Sequence, residues 1–144
     1  MNDIKPTITV ETRVKATSKD VWKFWTTPED IMQWNNPSDE WHNLLVEVDL
    51  KDGGKFLFRM QSKDGKDGFD YCGKYDKVRM YELIELTTAD DRKTVNTFLS
   101  DENETVITET FEVETKTPIE VQRDFCQNVL NNFKKYAENK VKQP

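Results

Sequence analysis

The spacing of the apolar residues changes once along this chain, and that change limits the possible folds more than any other feature. From about Asn43 to Glu114 the apolar residues fall at every second position within short segments, as they do in strands with one buried face. After Pro118 the residues Ile119, Gln122, Cys126, Val129, Leu130, Phe133 and Tyr136 or Ala137 recur at spacings of three and four, which predicts one amphipathic helix of about five turns. Thr117 is placed to cap it, with Pro118 at its first position and Glu120 in its first turn. A sheet must bury one face, and this helix is the only element long enough to cover it.

The rest of the chain completes that layer. Ile8, Val10, Thr12 and Val14 alternate with Thr9, Glu11, Arg13 and Lys15, so a first strand is expected over 8–15. Thr17 or Ser18 then caps a helix from about Lys19 whose apolar side carries Val21, Trp22 and Trp25. Pro28 restarts a second short helix, with Ile31, Met32 and Trp34 on its apolar side, which ends at Asn35, Asn36 and Pro37. Six further strands are expected at about 44–50, 55–61, 69–78, 81–88, 92–99 and 105–114, joined by turns rich in Gly, Asp and Asn. The expectation is a single α+β domain over residues 1–144: seven antiparallel strands, two short helices after the first and a long helix last. A twisted sheet wrapped around a helix tends to leave a cavity between them.

Composition narrows the function. The 144 residues need no disulfide staples, and 8 Phe, 4 Tyr and 4 Trp supply large buried areas. A net charge of -6 disfavours phosphate backbones and anionic lipid, so neither nucleic acid nor membrane is expected as a partner. Cys72 and Cys126 form no CxxC pair, and the first residues carry no basic-then-apolar signal pattern, so a cytoplasmic protein is expected.

The motifs Val21-Trp22-Lys23-Phe24-Trp25 with Pro28-Glu29, Trp34-Asn35, Ser38, Trp41-His42, Gly53-Gly54-Lys55-Phe56, Arg59-Met60, Gly68-Phe69-Asp70, Gly73-Lys74-Tyr75, Thr108-Glu109-Thr110-Phe111, Gln122-Arg123 and Asn132 to Tyr136 occur in this order. In that order, over about residues 8–138, the chain resembles the activator-of-Hsp90-ATPase-homologue family of the START-like (SRPBCC, Bet v 1-like) helix-grip superfamily. The resemblance implies the helix-grip fold and a hydrophobic cavity, without a settled activity. The eukaryotic co-chaperones of that family carry an additional N-terminal domain that grips Hsp90, which these residues lack. Where many relatives have Gly-Trp in the last helix this chain has Asp124-Phe125, and at Thr94 and Asn96 it is more polar than they tend to be.

Chemistry is sparse. His42 is the only histidine, and its expected place is a hydrogen-bonding loop or the cavity edge; no nucleophile, base and orienter stand out. No residues have metal-ligand spacing, and neither metal nor cofactor is expected. Gly53-Gly54 and Asp64-Gly65-Lys66-Asp67-Gly68 read as hairpin turns. Glu109 shares strand parity with Ile107, Phe111 and Val113, which points a carboxylate inward, where it needs a partner or a raised pKa. Arg59 has the parity of an outward residue. The function expected is non-catalytic binding of a hydrophobic small molecule, with a chaperone-associated interaction domain as first alternative and an enzyme using the cavity as second. The binding residues expected are Trp25, Trp34, Phe56, Phe58, Met60, Phe69, Tyr71, Asn96, Phe98, Glu109, Phe111, Phe125 and Val129.

Overall fold

A computed structural model describes residues 5–36 and 38–142. The elements are β1 (Thr7–Val14), α1 (Ser18–Thr26), α2 (Pro28–Trp34), β2 (Trp41–Val48), β3 (Lys55–Ser62), β4 (Gly68–Arg79), β5 (Leu83–Thr88), β6 (Lys93–Asp101), β7 (Glu104–Glu112) and α3 (Ile119–Lys142). The seven strands form one curved antiparallel sheet in the order β1-β7-β6-β5-β4-β3-β2. Helices α1 and α2 carry the chain from one sheet edge to the other. From β2 it returns by consecutive hairpins until β7 pairs with β1.

Local chemistry accounts for the boundaries. The Thr17 hydroxyl accepts from the Asp20 N–H at 3.3 Å and starts α1, with Asp20 in the first turn. Pro28 occupies the first turn of α2, where its missing N–H costs nothing; Thr27 precedes it without a side-chain cap bond. Strand β5 begins at Leu83 and not at 81, because Tyr81 takes a φ of 68° in a turn closed by Glu82 N–H donating to Arg79 O. Helix α3 runs 24 residues, longer than its apolar spacing predicts. Its final stretch is polar, with Lys140 and Lys142 at the end where the helix dipole favours cations.

The free edge of β1 is covered by α3. Gln127 Nε2 donates to Glu11 O at 3.2 Å, Lys134 Nζ to Arg13 O at 2.6 Å, and the Glu138 carboxylate accepts from Lys15 N–H at 2.8 Å. These side chains satisfy the groups that would otherwise template another strand.

Burial along α3 is uneven, and this positions the site. From its midpoint on, Leu130, Phe133 and Ala137 are buried. Phe133 meets Trp25 and Trp34 edge-on, with centroids 5.0 and 4.9 Å away, and those two indoles stack on each other at 4.8 Å. Before Leu130 only Gln122 is buried, while Ile119, Val121 and Phe125 are exposed. One half of α3 is packed down, and the other rides above the sheet.

Candidate functional site: a pocket beneath the first half of the last helix

Beneath that half lies a pocket of about 580 Å³, inside the range of roughly 300–1,000 Å³ usual for small-molecule sites. One side is aromatic: Trp25 and Trp34 from the short helices, Phe56, Phe58 and Met60 from β3, and Phe69, Tyr71 and Tyr75 from β4. Inward alternation places these strand residues together, and Phe56 holds Tyr71 and Tyr75 at 5.4 and 5.1 Å between centroids. Phe111 of β7 and Phe125 and Val129 of α3 also line the space.

The other side is polar. Thr94 and Asn96 of β6 and Glu109 of β7 reach the pocket from neighbouring strands, Asn96 standing in register opposite Glu109. Asn96 Nδ2 donates to Glu109 Oε2 at 2.7 Å. Protein shields the Glu109 carboxyl from bulk water, and the side-chain surface that remains accessible belongs to the pocket wall. Burial pushes its pKa up, and the Asn96 bond pulls only partly the other way. The Tyr71 hydroxyl and the Cys126 thiol are also pushed up, by burial first and by the Glu109 charge second, while the nearby Thr94 hydroxyl opposes the rise at Tyr71. Both therefore stay protonated at neutral pH, and a protonated thiol is a poor nucleophile.

The pocket brings together every binding residue expected from the sequence except Phe98. Phe98 is buried in the core, with its ring 5.3 Å from Trp22 and 5.6 Å from Trp25. It shares parity with Thr94 and Asn96, but α1 covers its end of β6, so facing inward there means packing and not lining. Arg59 is exposed and pairs with Asp70 at 3.1 Å. His42 lies in β2 opposite Gln61, away from the pocket, and its buried Nε2 has no hydrogen-bond partner among the described residues.

Several wall residues were not singled out by sequence reasoning. Ile84, Leu86 and Thr88 share one face of β5, a signal that alternation carries but that core burial explains equally well. Cys126 follows the same helical spacing as Val129. Arg92, Glu112, Glu114 and Thr117 lie at strand ends and in the loop before α3, where no period applies. Gln122 fixes that loop: its Oε1 accepts from Glu114 N–H at 3.0 Å, and its Nε2 donates to Glu114 O at 3.1 Å and Thr117 O at 2.7 Å. Among the described residues no group of three or more His, Cys, Asp or Glu is placed to hold a metal ion, and no helix is long and apolar enough to cross a membrane.

The comparisons with known proteins agree with this architecture. The family model described as "Activator of Hsp90 ATPase homolog 1-like protein" matches residues 15–138. The chain belongs to this family. A solved AHSA1-like protein from Aeromonas hydrophila is 33% identical, with 96% of each chain covered and a TM-score of 0.89. A protein from Cytophaga hutchinsonii is 42% identical, again with 96% of each chain covered and a TM-score of 0.81. At 18% identity, a protein from Chromobacterium violaceum shares the AHSA1-like fold, with a TM-score of 0.84 over 92% of this chain and 98% of its own. No curated protein matches the chain.

Glu109 gives this AHSA1-like chain a testable pH dependence. Burial raises its folded pKa above the ordinary range of a glutamate carboxyl, so between the unfolded and folded values the native state holds a proton that the unfolded chain has released. Stability therefore falls as pH rises through the folded pKa. Glu109→Gln keeps an acceptor for the neutral Asn96 donor and removes the titration. Urea unfolding should show the variant at least as stable as the parent at pH 7, with a flatter profile over that window. A large loss at pH 7 would mean that a cation holds the carboxylate.

Proposed function

We propose that the chain binds a hydrophobic small molecule in an internal cavity between the sheet and α3, without transforming it. The observation that carries this reading is the pocket itself: about 580 Å³ walled by aromatic rings on one side and by the Thr94, Asn96 and Glu109 group on the other. A chain that needed only a core would close this space, because interiors pack to crystal-like density. An apolar body fits the rings, and the few polar groups fix its orientation. Binding is favoured over catalysis because the hydroxyl of Tyr71 and the thiol of Cys126 are both held protonated, and the single histidine does not line the pocket. The likeness to AHSA1-like proteins supports the helix-grip scaffold on which the reading rests.

Native mass spectrometry of protein purified without detergent tests this. The expected spectrum contains a population heavier than the chain by one small organic molecule, released on collisional activation. A spectrum of bare chain only, before and after incubation with an extract of its own cells, would count against the reading.

A further inference from the structure

The charges around the pocket are unbalanced in a way that bears on what it takes. Arg92 is the one cationic side chain lining it among the described residues, against three carboxylates, Glu109, Glu112 and Glu114. Arg92 is already engaged, with its Nε donating to Asp90 Oδ2 at 2.7 Å. Glu112 accepts from Lys93 N–H at 2.7 Å and has Lys5 Nζ at 3.9 Å. Glu114 accepts from Lys116 N–H at 3.1 Å on one oxygen. Its other oxygen is buried without a bond, the Thr117 hydroxyl being near but outside hydrogen-bonding geometry.

Glu109 differs from both. Unlike Glu112 it forms no ion pair among the described residues, unlike Glu114 its carboxyl is shielded from bulk water, and its single hydrogen bond comes from a neutral amide. A carboxylate in such a place either keeps its proton or meets a cation. None of the described residues supplies such a cation: the Arg92 charge is felt at Tyr71, Cys126 and Glu114, whereas Glu109 responds to burial and to Asn96.

We propose that the ligand of this pocket is an amphipathic cation, an apolar ring-bearing body carrying a protonated amine that pairs with Glu109. The inference rests on the small-molecule reading above and specifies its chemistry. The ammonium donates to the Glu109 carboxylate, on whose Oε1 no hydrogen bond falls among the described residues. The apolar body lies against Phe56, Phe58 and Tyr71, whose ring faces also attract positive charge. If Glu109 carries a proton before binding, that proton leaves to solvent as the ammonium arrives, so charge balances. A carboxylic acid of the same shape would bring a fourth negative charge to a wall that already holds three carboxylates against one guanidinium, and is disfavoured.

Three probes sharing one ring system separate the possibilities: naphthylmethylamine, naphthylmethanol and naphthoate, each titrated calorimetrically at pH 7 into the unaltered protein. The amine is expected to bind about tenfold more tightly than the alcohol, a margin of roughly 1.4 kcal/mol, and naphthoate should be weakest. In Glu109→Gln the amine should fall to the affinity of the alcohol while the alcohol is unchanged. Alcohol or naphthoate binding as tightly as the amine would overturn the inference while leaving the small-molecule pocket standing. An amine preference that survives in a folded Glu109→Gln protein would overturn the role of Glu109. If no probe binds, the pocket reading fails and this inference fails with it. The ranking is read on the unaltered chain, so it does not depend on the variant folding.

Discussion

Phe133→Ala is expected to lower the unfolding free energy by about 3–5 kcal/mol, the range for removing a buried aromatic ring from a core. Phe133 is 0% exposed and meets Trp25 and Trp34 edge-on. Edge-to-face pairs add about 0.5–1.5 kcal/mol beyond the area they bury. The three rings join α1, α2 and the second half of α3, and α3 is also the roof of the pocket, so the loss should loosen the site as well as the fold. Urea unfolding checks this: the midpoint should fall with the slope unchanged, since a shift without a slope change reports stability alone. Phe125→Ala on the same helix is the control. Its ring is 37% exposed, so its loss should cost far less. Equal costs at the two positions would show that α3 is not anchored through its second half.

Periodicity made most of this architecture legible. Alternation places Ile107, Glu109 and Phe111 on one face of β7, and the structure keeps them there. The three-and-four spacing after Pro118 marks the face of α3 that carries Leu130 and Phe133. Where the reading missed, the cause is local or tertiary. The left-handed backbone of Tyr81 is invisible to a period-2 pattern and delays β5 to Leu83. Phe98 has the parity of a wall residue, but parity says which face a side chain takes and not what covers that face, which here is α1. The partner of Glu109 is of the same kind: an inward carboxylate is readable from β7 alone, whereas the Asn96 opposite it depends on the β6–β7 register. Arg92 and Glu114 fall at the ends of the strands expected over 92–99 and 105–114, but β6 begins at Lys93 and β7 ends at Glu112, so loop geometry and not alternation decides where they point.

The second large effect is expected from filling the pocket. Cys126 and Val129 lie about one turn apart on α3, and both line the space, so Cys126→Phe combined with Val129→Trp puts two ring systems where a ligand would sit. The added bulk enters an existing void and not a packed core, so it should escape most of the roughly 1–3 kcal/mol penalty of overpacking. Fluorescence titration with N-phenyl-naphthylamine, a neutral apolar dye that brightens on leaving water, measures the consequence. The parent protein should bind the dye saturably at one site, and the filled variant should bind it at least about tenfold more weakly at an unchanged unfolding midpoint. Equal affinity in the two proteins, or no saturable binding to the parent, would contradict the assignment of the space beneath α3 as the ligand site.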